Sequence, residues 1–311
     1  MTKSIFFLLQ RTSIIFSVFI LLGCASSDNS FKIQGNYKEM IEKQKMSYSG
    51  DTLDDKNLPP LSCKEYEKIG DLNLKRNRLS VAYVNYERAS KCGGDKSLLE
   101  YKKGLVNLYG KIYEDAIKQF KEVLKKEPEN SLAHEGLGIA YFQKANYVYA
   151  ERHFWKAIEH NPGLWKSHNF LGIIYDYQND HKKAAARYRA AISIKPEKAA
   201  LYNNLGLSFY LSGQYKKAYQ ELKQATKLDS SSDRIQNNLA LVLTKLMDYD
   251  KALIAFKNAG DLAQAYNNLG CVYLAEGRKK EAIRNFQKAL ESRPKFYDIA
   301  NENLENIQLS K

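Results

Sequence analysis

The sequence predicts an all-α chain, a solenoid of seven stacked units, and three observations predict it. The string Tyr-Asn-Asn-Leu-Gly occurs at Tyr202–Gly206 and again at Tyr266–Gly270, with Gln-Asn-Asn-Leu-Ala at Gln236–Ala240 between them. A small residue recurs at one phase, 34 residues apart except at the last step: Gly70, Gly104, Gly138, Gly172, Gly206, Ala240 and Gly270. Twelve residues after each comes an alanine (Ala82, Ala116, Ala150, Ala184, Ala218, Ala252, Ala282). Four further on stands a large side chain (Tyr86, Phe120, Phe154, Tyr188, Leu222, Phe256, Phe286), then a second small one (Ala89, Val123, Ala157, Ala191, Ala225, Ala259, Ala289). Proline closes four units, at Pro128, Pro162, Pro196 and Pro294. With a fixed period of this length, each unit cannot bury its apolar face alone and stacks on the next.

The period and the small/large pattern resemble the tetratricopeptide repeat. The resemblance implies a right-handed superhelical solenoid of about seven helix–turn–helix repeats with a C-terminal capping helix. The repeats run 63–96, 97–130, 131–164, 165–198, 199–232, 233–262 and 263–296. In each, the glycine of the first helix and the alanines of the second let two backbones approach closely. The large residue between the alanines fills the gap toward the next unit.

Before the repeats, residues 1–23 read as a lipoprotein signal peptide. Lys3 and Arg11 are its only charges, and Thr12–Leu22 is an uncharged, mostly apolar run of eleven residues. That is too short for a bilayer span, which needs about 20 residues. Leu21-Leu22-Gly23-Cys24 resembles a bacterial lipobox, which implies a covalent lipid on Cys24, including palmitate, and cleavage before it. Ala25 follows where the sorting rule of such lipoproteins reads aspartate as retention, so the expected location is the outer membrane, facing the periplasm. Residues 24–62, with Ser-Ser-Asp-Asn-Ser and Pro59-Pro60, read as a flexible tether with a coil-like reach of about 35 Å.

Within the solenoid, Ser62-x-x-Glu65, Ser97-x-x-Glu100 and Asp261-x-x-Gln264 read as capping boxes. The prolines end second helices or begin the next turn, where no helical N–H is needed. The sixth unit is four residues short, about one helical turn, with Gly260 ending its second helix. Lys103 stands where the pattern has leucine, and Asn73 and Asn107 where it has an aromatic, so the first two units are expected to be less stable. An antiparallel hairpin brings Cys63 and Cys92 together, and a disulfide there would support the first unit in an oxidising compartment. Residues 297–311 read as a capping helix and tail whose outer face carries Asn301, Glu302, Asn303, Glu305 and Asn306.

The chain has 48 basic and 35 acidic residues, a formal charge of +13. Losing Lys3 and Arg11 with the signal leaves 46 against 35, or +11. The excess is compatible with anionic partners and says nothing of fold. His134, His153, His160, His168 and His181 show no metal-ligand spacing. There is no glycine-rich phosphate loop and no nucleophile elbow, so no enzyme, no metal and no cofactor beyond the lipid on Cys24 is expected. Nor is a nucleic acid or a small-molecule substrate.

What remains is the face of the first helices, the concave side in the family resembled. One row along it is Glu67, Tyr101, Glu135, Asn169, Asn203, Asn237 and Asn267; the next is Leu105, Ile139, Ile173, Leu207, Leu241 and Cys271. Apolar rows beside an asparagine ladder suit a peptide groove in which the amides bond the bound backbone. On the other side Lys182-Lys183 and Lys216-Lys217 share a phase with Lys251 and Lys280 near it, a stripe read as solvated. Lipobox, tether and Asn-Asn-Leu repeats with a short unit before the last resemble the lipoproteins of Tad-type (Flp) pilus assembly. That resemblance implies a scaffold binding pilus or secretion-machine proteins; the alternative is a regulator of peptidoglycan synthesis or hydrolysis enzymes.

Overall fold

The computed structural model describes residues 61–292 and 300–305. The expectations for the signal peptide, Cys24 and most of the tether lie outside the described residues, as does Pro294. The described chain divides into two compact units, one ending at Gln178 and the other beginning at Asn179.

The N-terminal unit holds α1 (Cys63–Lys75), α2 (Leu79–Lys91), α3 (Lys96–Tyr109), α4 (Tyr113–Lys126), α5 (Ser131–Gln143), α6 (Tyr147–His160) and α7 (Trp165–Tyr177). The C-terminal unit holds α8 (His181–Ile194), α9 (Ala199–Leu211), α10 (Tyr215–Leu228), α11 (Asp233–Lys245), α12 (Tyr249–Asn258), α13 (Leu262–Ala275) and α14 (Lys279–Ser292). No strand occurs among the described residues. In the first unit α1–α2, α3–α4 and α5–α6 form hairpins, each second helix packs on the next first helix, and α3 touches α5 as α5 touches α7. The second unit repeats this with α9–α10, α11–α12 and α13–α14, and with α9 against α11.

The turn inside each hairpin follows one rule. A residue at a common phase is left-handed: Asn77, Lys111, Ala145, Asn179, Gly213, Met247 and Gly277 have φ between 56° and 75°. The following N–H reaches five residues back, as in Ile112 to the Asn107 carbonyl at 2.8 Å and Gln214 to the Phe209 carbonyl at 2.8 Å. These are Schellman ends, which satisfy orphan carbonyls and reverse the chain in three residues.

Packing explains the small/large pattern. A Cβ added at Gly104 would lie 2.7 Å from Phe120, and one at Gly136 would lie 2.5 Å from the same ring. Phe120 is thus wedged between its own repeat and the next, fully buried. Tyr86, Phe154, Leu222 and Phe286 make the same approach to Gly70, Gly138, Gly206 and Gly270. Each such burial is worth about 1.5–3 kcal/mol.

Helix ends match the sequence at two of three places. Ser62 with Glu65 and Asp261 with Gln264 form reciprocal capping boxes. At α3 the expectation is corrected: Asp95 is the cap, accepting from the N–H groups of Ser97 and Leu98, and Ser97 lies inside the helix. Glu100 turns instead to Lys103 at 2.6 Å. The short sixth repeat is taken entirely from its second helix, since α12 has 10 residues where α10 and α14 have 14. Residues 300–305 are helical, and Asn303 corrects the expected polar outer face: its amide points inward, donating to Asn267 at 3.1 Å.

Candidate functional site

Residues four and seven apart share one side of a helix. Leu98, Tyr101, Leu105 and Tyr109 therefore line one side of α3. The residues 34 further on line the same side of α5 (Leu132, Glu135, Ile139, Gln143) and of α7 (Lys166, Asn169, Ile173, Tyr177). Leu105, Ile139 and Ile173 are half-buried, and the first two rest on the cluster of Leu108, Ala116, Phe120, Leu137 and Ala140. The margins are more open and apolar except at Gln143 and Lys166: Tyr109 is 56% exposed, and Leu98, Leu132 and Tyr177 are exposed too. Tyr177 belongs to a ring group with Tyr147 at 5.2 Å and Phe142 at 6.4 Å. Burial, then the charge of Glu135, pushes the Tyr101 phenol up to about 12, so it is a neutral hydrogen-bonding group on this face. Glu135 itself is held by Ser167, whose hydroxyl donates at 2.8 Å and whose N–H donates at 3.2 Å.

The same rows in the C-terminal unit are more closed. Leu207 is half-buried and Leu241 buried. Asn203 is 1% exposed and its oxygen accepts from the Asn238 amide at 2.8 Å. Asn267 is 6% exposed and is bonded by Asn303. The expected role of Asn203 and Asn267 in holding a bound backbone is corrected by these contacts: their amides fasten one repeat to the next element. Asn237 is half-buried, with an oxygen that makes no hydrogen bond. Asn169 is half-buried on α7.

The second repeat's departures from the pattern, Lys103 and Asn107, turn out to belong to a network, while Asn73 of the first donates to the Ile69 carbonyl of its own helix at 2.8 Å. Lys103 is 6% exposed and pairs with Glu100 at 2.6 Å and Glu87 at 3.0 Å. Asn107 donates to Gln119 at 2.8 Å, and Gln119 donates to the Tyr83 hydroxyl at 3.1 Å. All of these groups but Asn107 border a cleft of ≈ 490 Å³ that also carries Lys96, Lys118 and Lys126 against Asp115 and Glu122. Its walls balance charge and select no ligand sign. Cys63 and Cys92 are paired across the first hairpin, with Cα atoms 5.6 Å apart. Across the first two repeats, Lys102 reaches Glu67 at 2.6 Å and Asp71 at 2.7 Å, and the Tyr86 hydroxyl donates to Asp71 at 2.8 Å.

On the second helices Lys182, Lys183, Lys216, Lys217, Lys251 and Lys280 are all exposed. Lys183 pairs with Asp180 at 2.8 Å, Lys251 pairs with Asp248, and Lys217 donates to Gln214 at 2.8 Å. Half of the stripe is thus engaged by side chains at its own helix ends. Among the described residues no group of three or more His, Cys, Asp or Glu could hold a metal ion, and no helix is long and apolar enough to cross a membrane. Sequence reasoning missed the exposed rim of Leu98, Leu132, Tyr109 and Tyr177; a search for apolar residues two turns before and one turn after the Leu105 row would have found it.

No curated protein matches the sequence. Among solved structures, PilF of Pseudomonas aeruginosa is 17% identical and has a TM-score of 0.53, the match covering 68% of this chain and 97% of that one. MamA from Desulfovibrio magneticus RS-1, from residue 41 to its end, is 22% identical with a TM-score of 0.50, covering 55% and 97%. YrrB, a tetratricopeptide-repeat protein, is 19% identical with a TM-score of 0.49, covering 61% and 100%. At these identities the likeness is one of fold. Tetratricopeptide-repeat family models match residues 101–163, 172–213, 206–246 and 263–296, more than half of the 311. With the hairpins, the phase-locked turns and the wedged rings in place, the chain belongs to the tetratricopeptide-repeat family.

Proposed function

We propose that this protein is a non-enzymatic scaffold whose N-terminal unit holds an apolar segment of a protein partner across α3, α5 and α7. The observation that carries the reading is the row Leu105, Ile139 and Ile173, half-buried and edged by exposed Leu98, Leu132, Tyr109 and Tyr177. Single exposed apolar residues are ordinary, but a row repeated at one phase on three neighbouring helices is the feature of a binding surface. Interaction through such a surface is what the family's fold offers.

The finer reading is that the scaffold is anchored by lipid on Cys24 to the outer membrane, faces the periplasm, and serves assembly of a pilus or secretin machine. The lipobox and the Asn-Asn-Leu repeats support it. Leu105→Glu with Ile139→Glu should abolish capture of the pilus or secretin subunit from an envelope extract while helicity stays unchanged. Charge reversal at Lys182, Lys183, Lys216 and Lys217 should leave capture intact. Loss with the lysine changes alone would move function to the other face, and capture of a peptidoglycan synthase or hydrolase instead would replace the partner class. In the same fractionation Cys24→Ser should leave an unprocessed precursor without palmitate label; normal processing of that variant would end the lipid-anchor reading.

A further inference from the structure

The third repeat joins two histidines in one hydrogen bond that the interaction face does not use. His134 on α5 and His153 on α6 meet through their Nδ1 atoms at 3.0 Å. Their tautomers are fixed from outside the pair. His134 Nε2 lies 3.0 Å from the Pro128 carbonyl oxygen, which can only accept, so that nitrogen carries a proton. The phase repeats the bond elsewhere: His168 Nε2 meets the Pro162 carbonyl at 3.0 Å, and the Gln236 amide donates to the Ser230 carbonyl at 3.0 Å. In the neutral pair His134 Nδ1 is therefore the acceptor, and His153 Nδ1–H donates to it.

We propose that this pair is an acid switch: protonation of both rings loosens the α5–α6 hairpin and with it the part of the interaction face that α5 supplies through Ile139. One added proton can be shared by a change of tautomer at His153. Two cannot, because both Nδ1 atoms would then be donors pointed at each other. The surroundings disfavour the charge as well. Arg152, Lys156 and His160 from α6 and Lys121 from α4 face the pair, against the acid Glu159 of α6. Tyr141 of α5 stacks on His153 with ring centroids 5.6 Å apart, and His160 stacks on His134 at 6.3 Å.

Burial, then His134 and the cations of Lys156, Lys121 and Arg152, push His153 down to about 4. Burial lowers His134 too, opposed by its bond to Pro128. Both folded values lie below the ordinary 6.5. As pH falls the unfolded or opened form takes up protons first. Stability is then level above about 6.5 and is lost between there and about 4.

The consequence for Ile139 rests on the interaction-face reading, whereas the switch is measurable without a partner. Hydrogen exchange on the full chain, corrected for intrinsic rate, should show protection in α5 and α6 falling on the order of 50-fold between pH 7.5 and 4.5. Protection in α13 and α14 should change little. His134→Gln with His153→Gln should remove the loss, since Gln236 makes the equivalent carbonyl bond and Gln119 occupies the His153 phase in the second repeat. Failure of partner capture at pH 7 would sink the interaction face and leave the exchange result standing. Equal acid loss in the double variant would overturn the switch, as would an NMR titration placing His153 near 6.5 in the unaltered protein.

Discussion

One position can be compared directly between the two units. In the first, Glu67 on α1 is met by Lys102 of the next repeat at 2.6 Å; in the second, Asn203 on α9 is met by Asn238 of the next repeat at 2.8 Å. Each partner lies 35 residues along the chain from its mate, so the backbone places the two pairs alike. The side chains differ because the wetness differs. The side chains of Lys102 and Glu67 are 16% and 24% exposed, whereas Asn203 and Asn238 are buried at 1% and 3%. Charges tolerate a half-wet site, while a dry one favours neutral amides that carry no ionic desolvation cost. The sealed amides leave the C-terminal unit with a more closed first-helix face. The N-terminal unit, stacked by rings and ions, keeps Leu98, Leu132, Tyr109 and Tyr177 open.

The largest expected difference between the units is chemical. Reducing the Cys63–Cys92 pair should destabilise the N-terminal unit by about 3–4 kcal/mol, because it frees a loop of 29 residues in the unfolded chain. Hydrogen exchange with and without reductant would register this in α1 and α2 and leave α13 and α14 unchanged. A uniform loss would mean that the two units unfold as one. No loss in α1 and α2 would mean that the Lys102 and Lys103 networks suffice to hold the first repeat.

A second change tests the role of wetness. Asn203→Glu with Asn238→Lys would put the ion pair of the first unit into the dry site of the second, at a cost of about 2 kcal/mol. The reverse exchange, Glu67→Asn with Lys102→Asn, should cost under about 1 kcal/mol, as expected of a half-exposed pair. Equal effects by urea denaturation would show that burial does not decide which chemistry each site uses.

Much of this was legible in the sequence, for reasons that also mark the limit. The period, the wedge of large residues against glycines and the lost turn of the sixth repeat are local and periodic, and the structure reproduces them. The capping box at Ser97 was misread because Asp95 and Ser97 are both capping residues two positions apart. Asp95 wins by accepting from two N–H groups at once, at 2.9 and 3.1 Å. The asparagine ladder was misread because phase says which side of a helix a residue occupies, not how deeply the next repeat covers that side. Asn303, beyond the last complete repeat, covers Asn267. The pair of His134 and His153 was invisible because the two occupy different phases, and only the folded hairpin brings them together.

The smallest effect concerns the turns, where the units share a conformation but not a residue. Asn77, Lys111 and Ala145 are left-handed in the N-terminal unit, and Asn179, Gly213, Met247 and Gly277 in the C-terminal one. A side chain with a Cβ is strained there by roughly 1–2 kcal/mol, glycine is not, and asparagine is the best tolerated of the rest. Met247 is 79% exposed, so truncating it forfeits little packing. Met247→Gly and Lys111→Gly should each stabilise their unit by about 0.5–1 kcal/mol, the relief of strain being partly offset by the greater freedom of glycine in the unfolded chain. Asn77→Gly should be close to neutral, and Gly213→Ala should cost about 1 kcal/mol. Chemical denaturation of the four variants orders them. If Gly213→Ala were neutral and Met247→Gly destabilising, the left-handed turn would not be the strained element. The absence of glycine from the three turns of the first unit would then need an explanation in packing.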